Sequence, residues 1–399
     1  MRKRNIGILP NKELTKLINN GKIRIDPSVD NSEEIFSNIQ PASLDLTLGD
    51  IAYRIQCSFL PQSQMVQNRI NDLKMYEVDL NDGAILEKGA VYLVPLREEL
   101  DLPKGICGKA NPKSSTGRLD VFTRVITDNC FRFDDIADAY KGKVYLEVVP
   151  LSFTVKVKTG QTLNQLRLFR TSDEKHRTFF KHEDADKIHD FIKGEKLVDF
   201  YVKNKLLYDQ NGRYIVETRN HVTDDGLLMS IDLINATSKG GPVGYKAKKN
   251  SQVIDIDKLA EYKEEDFWEP INNPLSGHLI LEPEEFYIFA SKELIRVPTI
   301  CSAEMVEFDA GSGELRTHYA GFFDPGFGYG RDGEILGTRA VLEVRPHDVP
   351  FRIEDGQILF KIRYEMMSEA PDIWYGPSIG SNYHSQGLRL GKQFSQRYY

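Results

Sequence analysis

The sequence lacks any run of about 18 consecutive apolar residues, so no membrane-spanning helix is expected. Cysteine is scarce. Cys57, Cys107, Cys130 and Cys301 are the only four, and none forms a C-x-x-C pair, which argues against a disulfide framework and against a cysteine-rich zinc site. The eight histidines are dispersed, with no H-E-x-x-H and no H-x-E joined to P-C-x-x-C, so deamination by a zinc-bound water finds no ligands here. A G-x-x-x-x-G-K-[ST] loop is missing as well, which removes P-loop hydrolysis. Gly326, Gly328 and Gly330 alternate without an evident helix after them, so a dinucleotide fold is weakly supported. No long apolar stretch follows Met1-Arg2-Lys3-Arg4, so no secretory leader is expected. Excess positive charge is also absent: 52 Lys and Arg stand against 59 Asp and Glu, a net charge of -7. A bulk grip on nucleic acid is therefore not expected, although a few local cations can still hold a small anion. These absences describe a soluble, cytoplasmic protein with no nucleic-acid or membrane partner.

The chain does contain itself twice. Leu146-Glu147-Val148-Val149-Pro150, with Gly160-Gln161, recurs as Leu342-Glu343-Val344-Arg345-Pro346, with Gly356-Gln357, at an offset of 196. Leu86-Glu87 and Tyr92 match Leu281-Glu282 and Tyr287 at an offset of 195, and Ile106-Cys107 matches Ile300-Cys301 at 194. Ser43-Leu44-Asp45-Leu46 matches Ser230-Ile231-Asp232-Leu233 at 187. Four blocks in one order at nearly one offset indicate a tandem repeat, and 399 residues suit more than one domain. The spacing divides the chain into 1–170, a charged and partly helical connection over 171–225, and 226–399.

Each copy reads as short strands. Val144 to Val149 and Phe153 to Val157 are rich in β-branched and aromatic residues, and Thr338 to Val344 and Phe351 to Ile353 repeat them. Proline and glycine punctuate at matching places, and no βαβ rhythm appears, which predicts a mainly β, barrel or jelly-roll-like domain. Two helices are expected: Asn11 to Asn19, with Leu14, Leu17 and Ile18 on one face and Gly21 as its stop, and Glu183 to Ile192 within the connection.

Several segments carry candidate chemistry. In Lys113-Ser114-Ser115-Thr116-Gly117-Arg118-Leu119, small hydroxyl residues and a glycine expose backbone N–H groups beside two cations. That pattern suits either a phosphate cradle or a solvated basic turn. Glu147 and Glu343 interrupt apolar strands, facing either solvent or a pocket where burial would raise the carboxyl pKa toward that of a general base. Asp324-Pro325-Gly326-Phe327-Gly328 has the composition of a turn. The stretch from Tyr375 through Gln386 to Gly387 is rich in Gly, Ser and aromatics, which fits a frayed tail or a mobile flap.

Together these blocks resemble the dCTP deaminase/dUTPase superfamily. Pro41-Ala42-Ser43-Leu44-Asp45-Leu46-Thr47-Leu48-Gly49 is similar to the opening P-A-S-x-D-L-x-L-G of dCTP deaminases. Lys113-Ser114-Ser115-x-x-Arg118-Leu119 resembles their phosphate motif, R-S-S-x-x-R-L. Asp324-Pro325-Gly326-Phe327-Gly328 followed by Val341-Leu342-Glu343 resembles their base-site motif, and Tyr375 and Gln386 match the spacing of their closing tail. The chain departs from the pattern in three places: Lys113 replaces Arg, Asn382 stands where a Lys is usual, and Tyr329 to Gly337 is inserted before Glu343.

The resemblance implies a tandem duplication of a dUTPase-like β-clip, a distorted jelly-roll barrel with a few short helices. It implies hydrolytic deamination of dCTP to dUTP and ammonia, by a water that Glu343 activates without zinc. Magnesium would arrive with the triphosphate. Ser114 and Arg118 would share the catalytic work, while Lys113, Ser115, Asp324, Tyr375 and Gln386 would bind substrate. Alternatives within the resemblance are dUTP diphosphatase activity, alone or after deamination, and non-catalytic nucleotide binding. Sites in this family draw the phosphate and base motifs from neighbouring domains, which suits a homo-oligomer, a trimer being favoured. Only the first copy keeps Ser-Ser-x-x-Arg; the matching stretch Glu304 to Leu315 carries Glu307 and Asp309. Only the second keeps Asp-Pro-Gly; the first has Arg132 to Asp138 instead. One composite site is therefore expected, with Glu147 as the alternative catalytic residue. Removing the chain from Tyr375 onward is expected to stop turnover and leave the fold intact.

Overall fold

The computed structural model describes residues 5–25, 34–171, 191–234, 236, 240–307, 315–317, 321–376 and 387–395. It is mainly β, with few and short helices. In the first half, five strands lie side by side in the order Lys74–Asp79, Ile51–Ile55, Tyr92–Asp101, Lys141–Pro150 and Val121–Thr127, and Ile23–Ile25 also pairs with Tyr92–Asp101. A second sheet places Leu44–Thr47 beside Thr162–Arg170, then Ile106–Pro112, then Asp135–Ile136. The second half repeats both orders. Trp268–Ile271, Gly244–Ala247, Tyr287–Ile295, Thr338–Pro346 and Leu315–Thr317 form one sheet, with Leu207–Tyr208 also on Tyr287–Ile295. Leu227–Ser230, Ile358–Met366, Cys301–Glu307 and Phe322–Phe323 form the other.

Register follows the repeat. Glu147 and Val148 face Leu93 and Tyr92, as Glu343 and Val344 face Ile288 and Tyr287. The recurring polar residues do the same structural work in each copy. The Tyr92 hydroxyl accepts from Glu87 N at 3.1 Å, and the Tyr287 hydroxyl from Glu282 N at 2.9 Å. Gln161 Oε1 accepts from Lys158 N at 2.9 Å, and Gln357 Oε1 from Glu354 N at 3.0 Å, so each Gly-Gln closes its own turn. Val144, Leu146 and Val148 alternate into the large core, as strand geometry requires, and this leaves Tyr145 and Glu147 on the opposite face.

The expected helix Asn11–Asn19 is present, burying Leu14 and Leu17. Gly21, at φ +64°, takes the left-handed turn that ends it. Of the second expected helix, 183–190 lies outside the described residues, and Phe191 and Ile192 are not helical. From Phe191 onward the expected connection is built into the second half. Helix Glu195–Asn204 and strand Leu207–Tyr208 stand to Tyr287–Ile295 as Asn11–Asn19 and Ile23–Ile25 stand to Tyr92–Asp101. Leu197 and Tyr201, four apart on that helix, are fully buried and anchor it.

The halves share one core. Phe153 packs edge-on against Trp268 with ring centroids 5.3 Å apart, and Val155–Val157 pairs in parallel with Ile254–Asp255. Residues 387–395 return to this core. Leu390 and Phe394 are buried, and Phe394–Ser395 pairs with Tyr262–Lys263. Truncation at Tyr375 would therefore strip buried apolar side chains, and the expectation that it spares the fold is corrected. Among the described residues, no helix is long and apolar enough to cross a membrane.

Candidate active site

The phosphate-like motif sits where strand Ile106–Pro112 gives way to a single helical turn, Ser114–Gly117. Thr116 N and Gly117 N donate to Lys113 O at 2.8 and 3.0 Å, and the Thr116 hydroxyl donates to Leu163 O at 2.8 Å. The turn thus leaves Ser114 exposed and Ser115 half-buried while swinging Arg118 inward, to 3 % exposure. Lys113 donates to Asp45 and, at 2.8 Å, to the Thr162 hydroxyl, which ties the turn to the Pro-Ala-Ser-Leu-Asp segment.

Arg118 points across to the second half. Its Nη1 donates to Arg389 O at 2.9 Å, and its Nε lies 3.9 Å from Glu343 Oε1. Glu343 is 6 % exposed. Burial pushes its carboxyl up to about 8, against the pull of the Arg118 guanidinium and with a further push from Asp120. A carboxyl with that pKa near a guanidinium can exchange a proton at neutral pH, as a general base must. Two residues along each segment a second ion pair joins the halves: Arg345 Nη2 donates to Asp120, while the Ser152 hydroxyl donates to Asp120 Oδ2 at 2.6 Å.

Asp324 is also buried, and burial raises its carboxyl to about 6, opposed by Arg167. Arg167 Nη2 stands 3.7 Å from Asp324 Oδ1, its Nη1 donates to Ala303 O at 3.1 Å, and its guanidinium lies 3.9 Å from the centroid of the Phe322 ring. The Asp-Pro-Gly turn docks the start of the tail. Tyr375 N donates to Pro325 O at 2.7 Å, and the Tyr375 ring lies 5.2 Å from Phe327. Gly326 is required there: its φ is +96°, and a Cβ would stand 3.0 Å from Trp374 Cβ. Gln386 lies outside the described residues.

Glu147 meets opposite surroundings at the same register. It is fully buried, and Arg124 Nε donates to its Oε1 at 2.9 Å. The Arg124 guanidinium is held 3.6 Å above the Phe133 ring and donates to the Ser58 hydroxyl at 2.6 Å. An apolar cluster of Ile55, Val66, Ile70, Leu93, Ile126 and Tyr145 occupies this region of the first half. The structure therefore brings Arg118 to Glu343 and leaves Glu147 closed by a partner of its own half. Sequence reasoning missed Asp120, Arg167, Arg345 and Arg389. Arg345 had a signal, since it alone breaks the repeated Leu-Glu-Val-x-Pro, where the first copy has Val149.

Residues 5–172 match the family described as the N-terminal domain of 2'-deoxycytidine 5'-triphosphate deaminase, and residues 203–394 match its C-terminal domain. The chain belongs to the dCTP deaminase family. Among solved structures, it is similar to 2'-deoxycytidine 5'-triphosphate deaminase from Agrobacterium tumefaciens, with a TM-score of 0.80 and 41% identity over 92% of this chain and 97% of that one. Curated dCTP deaminases resemble about half of it. The Streptomyces coelicolor "dCTP deaminase, dUMP-forming" is 29% identical over 171 residues, covering 42% of this chain and 83% of that protein. The Methanosphaera stadtmanae protein of the same description is 27% identical over 186 residues, covering 45% and 87%. The Alteromonas mediterranea "dCTP deaminase" is 26% identical over 167 residues, covering 38% and 78%.

Proposed function

We propose that the chain converts dCTP and water to dUTP and ammonia at one composite site, with Glu343 as general base and then general acid. The approach of Arg118 to Glu343 across the two halves, in a member of this family, carries the reading. Glu343 takes a proton from water, and the hydroxide adds to C4 of the cytosine. The carboxyl gives that proton to ring N3, then takes the proton of the new C4 hydroxyl and passes it to the amine, so that ammonia departs as the C4 carbonyl forms. Arg118 and Ser114 orient the water and the phosphates. Lys113 and Ser115 hold the triphosphate, which brings magnesium as part of the substrate. Asp324, Tyr375 and Gln386 enclose the nucleoside. Zinc has no part in this scheme, in keeping with the missing ligand motifs of the sequence.

We read the shared strand order as a tandem dUTPase-like β-clip, working in the cytoplasm as a homo-oligomer with a trimer favoured. A monomer by light scattering at working concentration would refute the assembly. A second reading is favoured by the relatives described as dUMP-forming: hydrolysis of the dUTP to dUMP and pyrophosphate. Product analysis with dCTP and dUTP separates the cases. Ammonia with dUTP supports deamination alone, ammonia with pyrophosphate and dUMP supports the longer reaction, and neither product leaves a nucleotide-binding protein.

A further inference from the structure

We propose that Arg345 is a positioning residue: paired with Asp120 across the two halves, it sets the separation at which Arg118 faces Glu343. The inference rests on the deaminase reading above. Glu343 and Arg345 are two apart on strand Thr338–Pro346, so they share a face. Arg118 and Asp120 are two apart in the segment that follows the helical turn. The charges cross, with cation facing anion in both rows.

The two rows differ in tightness. Arg118 Nε and Glu343 Oε1 are 3.9 Å apart, beyond hydrogen-bond range. In the other row Arg345 Nη2 donates to Asp120 and, at 3.0 Å, to the Ser152 hydroxyl, while Nη1 donates to Glu284 O. Asp120 is itself fixed. It holds φ +54°, unusual outside glycine, and its backbone is tied by Asp120 N to Gly117 O at 2.8 Å and Leu151 N to Asp120 O at 2.9 Å. A loose pair does not determine its own spacing; the tight pair two residues away does. The first copy supplies the contrast. Val149 stands at the place of Arg345, no strut is possible, and Glu147 is bonded directly to its arginine.

Among the described residues, the charged groups acting on the Glu343 carboxyl include Arg118 and Asp120 from the first half, and Arg345 lies two positions along its own strand. The neighbouring strand places Ile288 opposite it, and on the other flank the described strand ends at Thr317, opposite Val344. Asp120 pushes the Glu343 carboxyl up, and on this proposal Arg345, ion-paired to Asp120, offsets that push.

The test is steady-state ammonia release from dCTP across pH 5 to 10 by the full-length wild type, Arg345→Met, Asp120→Asn and the double variant. Arg345→Met should lower kcat by roughly a hundredfold, the scale of a 1 Å misplacement, and move the acidic limb of kcat/KM to higher pH. Asp120→Asn, which keeps a hydrogen-bonding group for Ser152, should move that limb to lower pH. The double variant should return it toward the wild-type position. A role in folding alone would not shift the limb in opposite directions. If Arg345→Met does not fold, Asp120→Asn and the double variant carry the same test, and an unmoved limb in Asp120→Asn overturns the proposal. A wild type that releases no ammonia overturns the functional reading and the positioning role together. An active wild type whose Arg345→Met variant keeps both turnover and limb overturns the positioning role alone.

Discussion

Replacing Glu343 by Gln should damage activity and improve stability at once, by amounts that depend on pH in a calculable way. Burial raises the Glu343 carboxyl from its ordinary 4.5 to about 8 in the folded chain. A group raised on folding contributes stability in full below its unfolded pKa and loses it as pH rises through the folded one. At pH 7 the unfolded chain ionises this carboxyl almost fully and the folded chain only about a tenth of it, the fraction that can act as base. Each pH unit is worth about 1.4 kcal/mol, so wild type has given up about 3 kcal/mol by pH 7 and about 5 kcal/mol above pH 8. A neutral amide has no such loss. The stability difference between Glu343→Gln and wild type should therefore widen by about 3 kcal/mol from pH 4.5 to 7, and then level off above about 8. Glu98 and Asp134, both raised by burial to about 7, also titrate on folding. They are present in both proteins and cancel in the difference. Urea denaturation at pH 4.5, 7 and 9 reads the effect directly. In parallel, kcat should fall by roughly 10² to 10⁴, the contribution of a general base. A stability difference that stays flat with pH would show Glu343 already ionised in the folded chain and refute the argument from burial.

Glu147→Gln should leave turnover within about tenfold of wild type, because Glu147 is bonded to Arg124 and it is Glu343 that Arg118 approaches; its stability should drop by about 1–3 kcal/mol as a buried charged hydrogen bond weakens. If Glu147→Gln is the dead variant and Glu343→Gln stays active, the composite assignment is wrong. A zinc-selective chelator should leave ammonia release unchanged while removal of magnesium stops it; loss restored by zinc alone would overturn the zinc-independent reading. Deleting 377–386 behind a short linker should abolish turnover and keep the denaturation midpoint, whereas truncation before Tyr375 should lower that midpoint, since Leu390 and Phe394 leave the core. Normal kinetics in the internal deletion would remove the tail from the mechanism.

What could be read in the sequence was whatever depends on near neighbours. Helix Asn11–Asn19 declared itself through Leu14, Leu17 and Gly21, all within three turns of chain. The strands around Glu147 and Glu343 did so through apolar patterning, and the repeat through Leu-Glu-Val-x-Pro and Gly-Gln, which hold the same places in both copies. Helix Glu195–Asn204 escaped because its charged surroundings resembled a solvated linker, and only tertiary packing of Leu197 and Tyr201 turns it inward. Arg345 with Asp120 and Arg167 with Asp324 join residues more than 150 positions apart, so no local pattern could announce them. The candidate site was legible only as a list of residues. The partner of each was not, because pairing is decided by how the two halves meet.

The closure of Glu147 by Arg124 also has a consequence for stoichiometry. A polypeptide with two related halves would ordinarily be expected to saturate with two ligands. Here one half holds its glutamate in an internal ion pair, and the other leaves its glutamate 3.9 Å from an arginine that the first half supplies. Nucleotide titrated calorimetrically should reach its end point at one equivalent per chain. Because that arginine and that glutamate are encoded in cis, mixing an Arg118 variant with a Glu343 variant should not regenerate activity by exchange of subunits.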